Sequence, residues 1–361
     1  MSHRRLPTAT GQIDVERVIA EVRAGRPVVL RAGAERLVVA AAEAVDETLA
    51  RDFDFAAPGA ARLVLSGPRL RRLGLIRAEG GFVALPQLEL SRLQALAFGA
   101  EARIDAPVAP LTPLYEGALE LMRLAQLLPA AIVLAASGAE ALLPNLLSVS
   151  LDNLLGYRAS RRATLHIVSR ASVPLEGASA CEFVVFRGGE GLRDQIAVVV
   201  GNPDFSQPVS VRLHSACLTG DLFGSLKCDC GDQLRDTVRV LAQEGGGVLL
   251  YLDQEGRGNG LSTKIRAYDL QAHGLDTFDA DEALGYGHDQ RDFAFAADML
   301  LKLGVTRLRL MTNNPAKIAA LREAGLDVVS DRRVIGRRSA HNLRYLAAKR
   351  DRAGHRLELD A

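Results

Sequence analysis

From residue 231 onward, segments with helical periodicity alternate with short apolar runs, and a chain written this way has few ways to fold. GDQLRDTVRVLAQEG carries apolar residues at helical spacing and stops at glycines, and GVLLYL after it suits a buried strand. A Gly-rich loop, QEGRGNG, leads into the helical pattern LSTKIRAYDLQAHG. A further helix, RDFAFAADMLLKLG, is followed by the strand RLRLMT, the helix NPAKIAALREAG and the strand LDVVS. The alternation predicts an α/β domain with its functional loops at strand ends.

The first half has a different texture. DVERVIAEVRAG reads as a helix, PVVLR and RLVVAAA as strands, GALELMRLAQLL as a helix and AAIVLAA as an apolar strand. Arginines interrupt the apolar pattern at YRASRRATL, residues 157 to 165, and mark a boundary. We therefore expect two α/β domains, 1–160 and 161–361, each a sheet with packed helices and each large enough to bury a core without disulfides. The chain has 44 basic and 43 acidic side chains, which gives no charge excess to advertise a nucleic-acid partner. Its N-terminus lacks the apolar core of a signal peptide, and no run approaches the roughly 18 apolar residues of a membrane span. A cytoplasmic protein with no membrane partner is expected.

Three of the four cysteines fall in CLTGDLFGSLKCDC, residues 217 to 230. In a reducing compartment, clustered thiols point to metal ligation or catalysis rather than a disulfide framework. One residue separates Cys228 from Cys230, and the ten residues between Cys217 and Cys228, with Gly220 and Gly224, form a loop able to bring a third sulfur to the same ion. Three protein ligands would leave a coordination position for water, the catalytic arrangement of zinc. Cys181 is too isolated to be an obvious fourth ligand, whereas His214, at the end of the strand-like VSVRLHSAC, is a candidate for that place or for substrate contact.

Two further segments suit anions. The loop Gln254 to Gly260 follows a strand and opens a helix, so its backbone N–H groups and Arg257 suit an anion or a polar ring edge. In TNNPAK, Asn314 is a good N-cap and Pro315 suits the first helical position, which makes Thr312, Lys317 and the free N–H groups a candidate phosphate site. Taken alone, Asp289 and Arg291 in HDQRDF read as a surface ion pair, and Tyr268 in KIRAY as a half-buried helical tyrosine.

Together these strings, VRLHSACLTGDLFGSLKCDCGDQL, LLYLDQEGRGNGL, KIRAYDLQ, GLDT, DQRDF and LMTNNPAKI, closely resemble GTP cyclohydrolase II, the enzyme that opens GTP at the start of riboflavin synthesis, over roughly residues 165 to 330. The resemblance implies that Cys217, Cys228 and Cys230 hold zinc. It implies that Arg212, His214, Ser215, Gln233, Glu255, Gly256, Arg257, Thr277, Thr312 and Lys317 hold GTP, with Mg²⁺ on the phosphates. It assigns Tyr268 to the ring-opening half of the reaction, Asp289 as proton acceptor and Arg291 as nucleophile toward the α-phosphate. A guanidinium stays protonated to a pKa above about 12, so an electrostatic role for Arg291 is the physical alternative.

The chain departs from the family in places. Ala216 replaces a glutamate beside the metal, Asp253 stands where arginine is common, and the tail SDRRVIGRRSAHNLRYL lacks the usual proline. The first half is similar, more faintly, to 3,4-dihydroxy-2-butanone 4-phosphate synthase. Glu35 is the only acid in the loop where that family binds Mg²⁺, Pro113 to Glu116 replace its Gly-His-Thr-Glu motif, and a later glutamate is replaced near Ala135. The expectation is a GTP-hydrolysing zinc enzyme behind a catalytically silent domain. The resemblance also implies a homodimer. A divergent paralogue opening GTP or another purine nucleotide for a different pathway and a catalytically dead GTP-binding regulator are the alternatives.

Overall fold

Each half of the chain assembles seven strands into one sheet. The structure is a computed structural model that describes residues 9–136, 143, 145–189, 193–287, 291–337, 339, 342, 343, 347 and 350–352. Contacts divide the chain into two units. One comprises Met1–Ser160, Ser262–Leu275 and Asp279–Asp289; the other comprises Arg161–Leu261, Asp276–Phe278 and Gln290–Ala361.

The first unit contains β1 (Val28–Ala32), β2 (Glu35–Ala41), β3 (Ala61–Leu65), β4 (Gly81–Leu85), β5 (Val108–Pro110), β6 (Ala130–Ala135) and β7 (Ser148–Ser150). Their order is β5-β4-β3-β6-β2-β1-β7, and every pairing is antiparallel except β1 with β7. Successive side chains point to opposite faces, and here both faces are covered. On β2, Val38 and Ala40 enter one core while Leu37, Val39 and Ala41 enter the other. Ile132 and Leu134 on β6 part from Ala131 and Val133 in the same way. This explains why β6 and the run Leu37–Ala41 of β2 are continuously apolar rather than alternating.

The second unit contains β8 (His166–Ser172), β9 (Cys181–Arg187), β10 (Gln195–Gly201), β11 (Val209–Ser215), β12 (Gly246–Leu252), β13 (Arg307–Met311) and β14 (Asp327–Arg332), in the order β14-β13-β11-β12-β10-β9-β8. The four strands β14, β13, β11 and β12 are parallel, and β10, β9 and β8 continue antiparallel. Central β11 sends Val209, Val211 and Leu213 into a core with Phe295, Met299, Leu300 and Leu321. The period of two puts Ser210, Arg212 and His214 on the opposite face, where they are nevertheless buried. Polar side chains in such a place need partners, and those partners build the site.

A candidate metal centre at the ends of parallel strands

Three adjacent parallel strands end in loops that carry the expected chemistry: Cys217 follows β11, Gln254 to Gly258 follow β12, and Thr312 to Pro315 follow β13. The carboxyl ends of parallel strands are where open α/β sheets bind ligands. Cys217 leads into the short helix Leu218–Asp221, and Cys230 opens the helix Cys230–Gln243. The ligand atoms of Cys217, Cys228 and Cys230 lie within 4.8 Å of one another, and among the described residues no other group of three His, Cys, Asp or Glu converges so. A tetrahedral zinc with bonds of about 2.3 Å separates its sulfurs by about 3.8 Å; the Cys217 and Cys228 sulfurs are 3.7 Å apart. The donor set therefore fits such an ion. The neighbouring Cys217 thiol, with burial adding to it, pushes the Cys228 thiol up to about 11. A bound cation offsets that cost of ionisation.

His214 lies outside this cluster, because its Nε2 is 3.1 Å from both carboxylate oxygens of Asp221. Burial lowers its pKa. Arg212, also buried, donates to the Met311 carbonyl at 2.9 Å and to Gln233 Oε1 at 2.5 Å; burial lowers its pKa to about 10. Gln233 in turn donates to Asp229 at 2.5 Å. Glu255 accepts the Leu218 N–H at 2.6 Å and so ties the loop after β12 to the cysteine loop. Gly256 and Arg257 both have positive φ, 58° and 61°. Arg257 holds this unusual conformation with its guanidinium 4.3 Å from the centre of the Phe278 ring, adjacent to Thr277.

At the end of β13, Asn314 caps the helix Pro315–Glu323 through Ala316 N–H at 2.9 Å, as its sequence predicts. Lys317 does not reach into solvent. It is buried, donates to the Leu213 carbonyl at 2.7 Å and lies 5.1 Å from the centre of the Phe293 ring. Thr312 Oγ1 accepts the Asn314 N–H at 3.1 Å. Arg291 donates to Ser215 Oγ at 3.2 Å and stacks over Phe293 at 5.0 Å. Ser215 donates to Gln254 at 2.9 Å, and Gln254 to the Asp292 carbonyl at 2.8 Å, so the loops after β11 and β12 and the Arg291 segment form one chain of hydrogen bonds.

Tyr268, half-buried on the helix Leu261–Ala272 beneath Lys264 at 5.7 Å, groups with the first unit. Asp289 lies outside the described residues. Sequence reasoning passed over Asp221 and Tyr251 and gave Gln254 only a place in the Gly-rich loop, although Asp221 sits inside the cysteine motif. An acid four residues after a strand-terminal cysteine was the available signal.

These features define a class: a two-unit α/β protein with a cluster of three thiols able to hold a metal ion at the ends of parallel strands. The GTP cyclohydrolase II family model matches residues 166–333. A GTP cyclohydrolase-2 of Xylella fastidiosa is 44% identical over 356 residues, covering 98% of this chain and 89% of that protein. The Azospirillum brasilense GTP cyclohydrolase-2 is 48% identical over 244 residues, 66% of this chain and 63% of its own. The riboflavin biosynthesis protein RibBA of Phocaeicola vulgatus is 37% identical over 257 residues, 68% and 63% of the two chains. Among solved structures, RibBX, a two-domain 3,4-dihydroxy-2-butanone 4-phosphate synthase from A. baumannii, aligns over 90% of this chain and 99% of its own with 20% identity and a TM-score of 0.33. The chain belongs to the GTP cyclohydrolase II family.

Proposed function

We propose that the protein hydrolyses GTP to 2,5-diamino-6-ribosylamino-4(3H)-pyrimidinone 5′-phosphate, formate and pyrophosphate, using zinc held by Cys217, Cys228 and Cys230, as the first step of riboflavin synthesis. The observation that carries this reading is the convergence of the three thiols at the strand ends, beside a buried cluster of Arg212, His214 and Lys317. Held by Cys217, Cys228 and Cys230, a zinc ion would supply the means of making water nucleophilic at neutral pH, which the poorly electrophilic C8 of guanine requires. The chain's own groups do the rest. Glu255 offers acceptor oxygens to guanine N–H donors, and Arg257 and Gln233 border the same loops. Arg291 and Lys317, with Thr312 and Mg²⁺, balance charge on the phosphates as pyrophosphate leaves. Asp289 takes a proton, and the Tyr268 phenol orients the water that releases formate. Residues 1–160 make up a synthase-like domain whose metal-binding acids and histidine are gone, so it should not make dihydroxybutanone phosphate. We further propose that the enzyme works as a cytoplasmic homodimer.

The test is incubation with GTP and Mg²⁺, assayed for formate, pyrophosphate and the pyrimidine by mass spectrometry. Equal yields of the three are expected, with loss on zinc removal, return on zinc addition, and loss of both zinc and activity in Cys228→Ser. Full turnover by verified zinc-free protein would overturn the reading. A product that keeps its formyl group would overturn the role of Tyr268 and favour the paralogue.

A further inference from the structure

Asp221 joins the thiol loop to the buried histidine. Its Oδ2 accepts the Cys217 N–H at 2.9 Å and the Tyr251 hydroxyl at 3.0 Å, and both its oxygens lie 3.1 Å from His214 Nε2. Its side chain is 6% exposed and that of His214 is 3% exposed. A carboxylate offers acceptors alone, so the imidazole nitrogen facing it must carry the hydrogen. In a neutral ring the other nitrogen, Nδ1, then holds a lone pair. That atom is buried and has no hydrogen-bond partner among the described residues. The ring plane is fixed as well, since His214 stacks on Tyr251 with centroids 5.6 Å apart and planes 14° from parallel. A rigid, buried acceptor without a donor calls for one from a ligand or an ordered water.

We propose that Asp221 is a positioning residue: its carboxylate fixes His214 as the Nε2–H tautomer, so that Nδ1 presents an acceptor to an N–H or O–H donor of the purine nucleotide, while the same carboxylate holds the backbone of the first metal-ligating cysteine. The proposal rests on the function given above for its substrate, and on geometry for the rest. An amide cannot replace the carboxylate. Asparagine has one acceptor oxygen for three donors, and its NH₂ group would face a hydrogen on either His214 or the Cys217 and Tyr251 side.

The experiment uses the full chain labelled with ¹⁵N-histidine, its seven histidines being few enough to resolve, with His214 assigned by His214→Gln. Wild-type His214 should show the Nε2–H tautomer pattern. In Asp221→Asn the Nδ1–H tautomer should appear, KM for GTP should rise about 10-fold with a smaller change in kcat, and a chelator should strip zinc about 10–100-fold more readily, the usual effect of losing a group that supports a metal ligand. A wild-type Nδ1–H tautomer would overturn the proposal, and that measurement stands whether or not the variant folds. Unchanged tautomer and zinc retention in folded Asp221→Asn would overturn it too. Failure of the wild type to release formate from GTP would instead strike the proposed function, since the tautomer and zinc readouts need no turnover.

Discussion

A methyl group at position 220 would lie 2.7 Å from the Cys228 sulfur, 3.0 Å from the Cys217 sulfur and 3.2 Å from the Cys230 Cβ. The loop backbone therefore passes directly against the Cys217 and Cys228 sulfurs and the Cys230 Cβ, and glycine is needed there for its missing side chain rather than for a special φ. Gly224, four residues on, has a φ of 63° and nothing near its Cβ position, so its glycine serves the turn itself. The two sites make opposite predictions. Gly220→Ala should push the sulfurs apart and weaken binding of the proposed zinc about 10–100-fold while thermal unfolding of the sheet changes little. Gly224→Ala should leave zinc in place and cost about 1 kcal/mol of loop strain. Metal analysis after dialysis against a mild chelator separates them, and equal zinc retention in the two variants would mean that the loop packs differently.

Elements differ in how plainly they announce themselves. Most helices and strands after residue 230 were legible because each is a single clear period bounded by glycine or proline: GVLLYL falls in β12, RLRLM is β13, and Pro315 opens the helix that Asn314 caps, whereas the short acidic helix Thr277–Ala283 was not. The stretch 47–110 was not, although it holds β3, β4, β5 and three helices. ARLVL and GFVAL are only five residues long, and Arg62 breaks the apolar run of the first. The cysteine triad was legible as a motif, but the partner of His214 was not, because Asp221 meets it from the end of the short helix Leu218–Asp221 and Tyr251 meets both from the neighbouring strand. The segment after the helix Thr277–Ala283 is another case. Nothing in its sequence tells that the Tyr286 hydroxyl donates to the Leu127 carbonyl at 2.6 Å. Burial raises the pKa of Tyr286 well above its ordinary 10.0. The unfolded chain then loses this proton above about pH 10 while the folded one keeps it, so the contribution to stability is whole below pH 10 and falls as pH rises beyond it. Tyr286→Phe should cost about 1–2 kcal/mol near neutrality by leaving the carbonyl unpaired, and should flatten the alkaline loss measured by urea unfolding between pH 9 and 12. An unchanged alkaline slope would show that the hydroxyl is not buried in this way.

For the whole molecule, the order of motifs along the chain and the grouping of residues in space do not coincide. Ser262–Leu275 and Asp279–Asp289 lie within the family match yet cluster with residues 1–160. Arg69 shows why. One of three arginines in GPRLRRLGL, it is fully buried and donates to the carbonyls of Leu96 at 2.7 Å, Ala95 at 2.7 Å, Gly99 at 2.8 Å and Ala283 at 2.7 Å. Burial without a carboxylate lowers its pKa to about 10, with Arg72 adding to the effect. Ser66 donates to the Gly285 carbonyl at 2.5 Å, and Leu128 packs with Ala267, Ala280, Leu284 and Tyr286 in one apolar cluster. Removing residues 1–160 would strip that cluster of Leu128 and expose the apolar side chains, so the truncated chain should aggregate or lose order at residues 262–287. A gentler form of the test keeps the chain intact. Arg69→Met leaves buried carbonyls without donors and should cost about 3 kcal/mol. By hydrogen exchange, amides of 262–275 and 279–287 should then lose protection together with β3 and β6, while β11, β12 and β13 keep theirs. If those segments instead exchange with β11 to β13, they belong to the second folding unit and the anchoring role of Arg69 is wrong.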